Sequence, residues 1–117
     1  MTTITRKLAK HQWQAYFDNL SKHLHRNKVS VLVEGLDLGA QPEVEKVELC
    51  GVTYDYADDA IEITSDALTH RIAGPHDVYV QEDSSGALLA FKVTDDDGHE
   101  QIVQFESSLD FQQAGDA

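Results

Sequence analysis

The sequence predicts an α+β domain, with one N-terminal amphipathic helix packed on an antiparallel sheet of five to seven short strands. Three observations carry this reading. Apolar residues recur at helical spacing as far as Leu24, and from Lys28 the spacing changes to two. The charge divides at the same place. Residues 1–28 hold six of the nine Lys/Arg and one acid, Asp18, whereas residues 29–117 hold three basic residues and twenty acids. That is +5 against −17 in a chain of net charge −12. Alternation assigns residues to faces but does not decide closure, so the sheet is either open or curled into a small barrel.

The helix rests on Trp13, Tyr16, Phe17, Leu20 and Leu24, which follow one another at steps of three, one, three and four. Those steps place them on one face of a 3.6-residue helix, with Gln12, Gln14, Asp18, Asn19 and Lys22 opposite. The expected span is 9–25. Thr5 is the nearby capping-type residue at its start. Asn27 offers a left-handed stop, and Lys22, His23, His25 and Arg26 complement the negative end of the helix dipole.

The strands follow in order. Val29, Val31 and Val33 alternate with Ser30, Leu32 and Glu34 in the first. Val47, Leu49 and Val52 belong to the second, with Gly51 as a bulge. The turn pair Asp58-Asp59 leads to a third around Ile61 and Ile63, and Leu68–Ile72 form a fourth that stops at Gly74-Pro75. Val78 and Val80 begin the fifth. The loop Asp83-Ser84-Ser85-Gly86 turns the chain into a sixth around Leu89, Phe91 and Val93. Asp95-Asp96-Asp97-Gly98 turns it again into the last, with Ile102, Val103 and Phe105. Short turns between successive strands imply antiparallel pairing.

A length of 117 residues suits a single domain, 1–117, with an ordered core over about 9–106 and a polar tail over 107–117. Leu, Ile, Val and Phe supply 30 of the 117 residues, enough for a packed core despite the acidity. A net charge of −12 argues against binding nucleic acid, whose affinity rests on Lys/Arg contacts to phosphates, and against anionic membranes. No apolar segment opens the chain as a secretory signal would, and no run reaches the ~20 residues of a membrane helix. The single cysteine, Cys50, excludes an internal disulfide and reads as a buried structural thiol. A cytoplasmic protein is expected.

The chain resembles a family of small uncharacterised bacterial proteins known as a domain of unknown function. The resemblance spans roughly residues 10–106. It rests on Trp13 and Phe17, the valine-rich strand ending in Glu34, and Gly39-Ala40-Gln41. Beyond these it rests on the segment 49–55 around Cys50 and Gly51, His70-Arg71-Ile72 before Pro75 and Val78, and a glycine hairpin leading to Phe105. It implies an α+β bacterial protein and supplies no catalytic residues. The lysine- and histidine-rich helix departs from the acid-rich surroundings expected of the tryptophan.

Candidate chemistry is thin. His23 and His25 lie about 200° apart around a helix and cannot share a metal. His70, His76 and His99 lie near turns, and could form an open metal site with one another or with a carboxylate such as Asp77 or Glu100. Exposed polar positions are the simpler account of all three. The acids of 94–100 are consecutive rather than alternating, which fails the spacing of a calcium loop and suits a solvated hairpin tip. Tyr54 and Tyr56 share a strand face, where they either pack at the core edge or frame a contact surface. No nucleophile elbow, phosphate loop or dinucleotide fingerprint is present, so no catalytic residue and no cofactor is assigned. The leading expectation is a non-enzymatic binding or protein-interaction module, associating with itself or with another protein through the contrast between basic helix and acidic sheet. The alternative is a metal-binding protein or metal-dependent enzyme using His70, His76 or His99 with nearby carboxylates.

Overall fold

The computed structural model describes residues 3–35 and 39–111. One short helix and eight strands form an α+β fold. The strands are β1 (Thr3–Leu8), β2 (Lys28–Gly35), β3 (Gly39–Asp55), β4 (Ala60–Ser65), β5 (Thr69–Ala73), β6 (Pro75–Asp83), β7 (Leu88–Asp95) and β8 (Glu100–Leu109). A single 3₁₀ turn, Lys10–Gln12, leads into α1 (Trp13–Lys22). All strand pairs are antiparallel and the sheet order is β1-β6-β7-β8-β2-β3-β4-β5, with β1 and β5 as open edges. The sheet is not a closed barrel.

It is nevertheless strongly curled, as the connection between β5 and β6 requires. These strands stand at and next to opposite edges of the sheet, yet Gly74 alone joins them. The Gly74 N–H donates to the Asp59 carbonyl, and its own carbonyl accepts from the Asp96 N–H, both at 3.1 Å. This residue therefore stitches the β3–β4 turn to the β7–β8 turn. Its φ of +62° suits glycine, and a Cβ here would lie 2.8 Å from Asp96 Oδ2.

The helix fills the concave side. Trp13, Phe17 and Leu20 are almost wholly buried, each stabilising the fold by about 1.5–3 kcal/mol. The Trp13 ring meets Tyr54 of β3 edge-on at 5.2 Å, and Phe17 meets Phe91 of β7 at 5.3 Å. The helix thus touches both halves of the curl. Ser21 fastens it to β3, its hydroxyl donating to the Val52 carbonyl and accepting from the Val52 N–H, each at 2.9 Å.

Several boundaries differ from the sequence reading. The helix is shorter than 9–25, and its entry is closed by the Gln12 side chain accepting from the Ala9 N–H at 3.1 Å. Thr5 lies in β1 instead. The left-handed residue after the helix is Arg26 (φ 59°), and Asn27 accepts from the His25 N–H through its side chain. The strand count is eight rather than five to seven, because residues 3–8 add β1 to the edge of β6. The ordered core does not stop at 106 either. Leu109 and Phe111 are buried, and Phe111 packs edge-on against Tyr16 at 5.2 Å. Of the polar tail expected to fray from about Ser107, residues 112–117 lie outside the described residues.

The bulge expected at Gly51 is present, with Cys50 skipped in the β3–β4 register. That skip turns Cys50 outward, so it is exposed and not a buried thiol. A second irregularity between Leu88 and Ala90 turns Leu88, not Leu89, fully into the core. Among the described residues no helix is long and apolar enough to cross a membrane.

Candidate functional site

The N-terminal cations are turned onto the acids of their own sheet. On β1, Arg6, Lys7 and Leu8 sit opposite Val80, Tyr79 and Val78 of β6. Arg6 Nε meets Glu82 Oε1 at 3.0 Å, Lys7 Nζ meets Asp77 Oδ1 at 3.0 Å, and Lys10 Nζ meets Asp59 Oδ1 at 3.4 Å. Arg26 and Lys28 converge on Glu48 at 3.2 and 3.9 Å. Arg71 pairs with Asp58 and Glu62, and Lys92 with Glu100. The charge division so visible in the sequence is largely an intramolecular complementarity.

Two of these pairs frame an open groove at the end of the sheet, lined by Lys7, Lys10, Trp13, His76 and Asp77. The Trp13 indole N–H donates to the Leu8 carbonyl at 3.1 Å, and Lys10 Nζ lies 5.6 Å from the Trp13 ring centre. The Tyr54 hydroxyl donates to Asp59 at 2.7 Å and, with Lys10, holds that carboxyl below its ordinary value. Lys7, joined by His76, does the same for Asp77. Tyr54 is buried, whereas Tyr56 lies beyond the strand end and is 71% exposed, so the two do not frame one surface.

A third cluster joins β1, β6 and the helix. Glu82 is 6% exposed and receives Arg6 through both carboxylate oxygens. The Tyr16 hydroxyl also reaches Glu82, at 3.4 Å, and burial raises the Tyr16 pKa well above its ordinary value. The sequence analysis assigns Glu82 no role. Alternation with Val78 and Val80 puts it on the inner face of β6, but Arg6, which tolerates its charge there, is distant in sequence.

The three candidate histidines are not gathered. His70 lies on edge strand β5 opposite Ile63. His76 is exposed at the start of β6, with Nδ1 3.1 Å from Asp77 Oδ2. His99 belongs to the β7–β8 turn, with Nδ1 3.8 Å from Asp95 Oδ2. Among the described residues, one set of three or more potential ligands closes to metal-binding range: Asp95, Asp97 and His99, all within 4.8 Å of one another. Asp77 and Glu100 are engaged with Lys7 and Lys92.

The outer face of the sheet, away from the helix, carries a cross-strand row. The register aligns Lys7, Tyr79, Lys92, Ile102 and Leu32 across β1, β6, β7, β8 and β2. Tyr79, Ile102 and Leu32 are half-buried there, and Lys92 Nζ lies 5.1 Å from the Tyr79 ring centre. A shallow groove of about 340 Å³ follows this face, lined by Thr5, Tyr79, Ala90, Lys92, Ile102 and Gln104. The sequence contained its components as the outward members of alternating strands. Strand order, which sequence alternation does not supply, makes them contiguous.

Comparison with known proteins agrees with this picture of a fold without an assigned activity. An uncharacterized protein of Aquifex aeolicus (strain VF5) is 36% identical over 106 residues, covering 90% of this chain and 95% of that protein. No solved structure matches the chain. A family model described as "Family of unknown function (DUF5335)" matches residues 4–114. The chain therefore belongs to the DUF5335 family of unknown function.

Proposed function

We propose that this protein is a non-enzymatic interaction module that docks a protein partner on the outer face of its sheet. The observation that carries the reading is the row Tyr79, Lys92, Ile102 and Leu32. It places half-buried apolar side chains on a face that the helix does not cover. Aromatic and aliphatic anchors flanked by polar side chains such as Thr5, Gln81 and Gln104 match the general anatomy of a protein-binding patch.

The helix is the weaker docking surface. Its neighbouring cations Arg6, Lys7 and Lys10 are already paired with acids of the same chain, which lowers their gain from a second acidic partner. The remaining excess of acids, −12 overall, favours a partner with a cationic surface and steers it at low ionic strength. The same charge disfavours nucleic acid and anionic lipid as partners. A cytoplasmic address fits the single exposed cysteine and the absence of a membrane-spanning helix among the described residues.

Native mass spectrometry of the untagged protein, purified gently at low salt from its own host, tests the reading. A retained protein partner that salt releases supports it, as does a dimer of this chain, which would name a second copy as the occupant. A bare monomer under every condition contradicts it.

A further inference from the structure

We infer that the β7–β8 turn holds a divalent transition-metal ion, with Asp95, Asp97 and His99 as protein ligands and Gln101 as the buried group beneath it. Two independent observations meet here. The first is the ligand set, whose two carboxylate oxygens and imidazole nitrogen lie within 4.8 Å of one another. Metal–ligand bonds of about 2.0–2.2 Å place ligands of one ion within such distances, so little rearrangement is needed.

The second is Gln101, which is only 4% exposed and lies on the inner face of β8. Its Nε2 reaches Asp95 Oδ2 at 3.3 Å, so the amide is aimed into the cluster. Its Oε1 is buried with no hydrogen-bond donor. A buried amide oxygen left without a partner costs about 1–3 kcal/mol. The partner it takes is an N–H or O–H donor. A hydrated divalent ion on Asp95 and Asp97 would supply one, neutralising the two carboxylates while an ion-bound water donates to Oε1.

The rest of the turn is built for positioning. Asp95 Oδ1 accepts from the backbone N–H of Asp97 and of His99, each at 2.9 Å, which orients the carboxylate and leaves Oδ2 toward His99. Asp95 is 12% exposed at its side chain and His99 27%, so the ion would be partly shielded from water. An imidazole among the ligands favours zinc over calcium, magnesium or manganese, which suit oxygen ligands.

The test is calorimetric titration of Zn²⁺ into the untagged full-length chain, stripped with chelator beforehand, with Mn²⁺ in a parallel run. Wild type is expected to bind one equivalent. Asp97→Asn, at the exposed tip, should weaken binding at least tenfold, and Gln101→Leu should weaken it about 10–100-fold as a supporting group. His76→Ala should leave it unchanged. In a ¹H–¹⁵N spectrum the Gln101 side-chain amide and the His99 ring should shift on titration, a readout that requires no variant. No binding at millimolar metal overturns the inference. So does binding that survives Asp97→Asn and leaves the Gln101 amide unshifted, since the ion would then sit on other surface histidines.

Discussion

Arg6 and Glu82 face each other across the outermost strand pair as a fork, Nε to Oε1 at 3.0 Å and Nη2 to Oε2 at 3.3 Å. The two partners differ in exposure, 40% for the arginine side chain against 8% for the glutamate. The pair therefore fastens β1 and Tyr16 of the helix to one buried carboxylate. Removing the arginine strands a charge, whereas removing the glutamate releases a cation that can rehydrate. Arg6→Leu should cost about 1–3 kcal/mol, Glu82→Leu less, and the double variant should recover most of the loss. Urea unfolding of the four proteins measures the asymmetry. Equal costs for the two single variants would contradict it.

Ser21 occupies the place of a strand neighbour beside the β3 bulge, satisfying both backbone groups of Val52. Ser21→Ala leaves a carbonyl and an N–H without that partner in a half-buried setting. A loss of about 1–3 kcal/mol is expected from chemical denaturation. Hydrogen exchange should locate its effect at the Val52 amide.

Gly74 and Gly98 both hold positive φ, +62° and +83°, but their surroundings differ. At Gly98 a methyl group would meet open space, and at Gly74 it would meet the Asp96 carboxylate at 2.8 Å. Gly98→Ala should cost about 1–2 kcal/mol of backbone strain alone. Gly74→Ala should cost more, and Asp96→Ala in the same chain should remove the excess. Thermal melts of the three variants decide this.

Acid should destabilise the fold through Asp59 and Asp77. Tyr54 with Lys10, and Lys7 with His76, hold these carboxyls below their ordinary value of 3.8 in the folded chain. A depressed folded-state pKa contributes stability above the unfolded value, and that contribution is lost as pH falls through the folded one. The loss should begin near pH 4 and continue below it. Asp59→Asn and Asp77→Asn should flatten this limb in a pH series of unfolding midpoints, while leaving its shape above pH 5 unchanged.

Most of the element order was legible from the residues. Val29/Val31, Ile61/Ile63 and Phe91/Val93 alternate as they do because one face meets Phe17 and its neighbours. The first strand shows no apolar alternation in the sequence, because Arg6 stands between the exposed Ile4 and the buried Leu8 on one face. That charge is tolerated by Glu82, which is distant in sequence. Phe111 was hidden in the same way, in a polar segment, since its partner Tyr16 lies on the helix. The candidate site fared worse. The consecutive acids Asp95 and Asp97 read as a solvated tip beside His99, and although alternation with Val103 and Phe105 puts Gln101 on the inner face, only the fold brings its amide to Asp95. The outer row from Lys7 to Leu32 depends on β8 pairing with both β7 and β2, a long-range choice that alternation cannot encode.

On the proposed reading, partners dock on the outer sheet face and not on the helix. Native mass spectrometry of host-purified protein should compare wild type with Ile102→Lys, on the sheet, and Lys22→Glu, on the helix. Ile102→Lys should lose the retained partner or second copy, and Lys22→Glu should keep it. Retention by Ile102→Lys together with loss by Lys22→Glu would rule out the sheet face and move the binding surface to the helix.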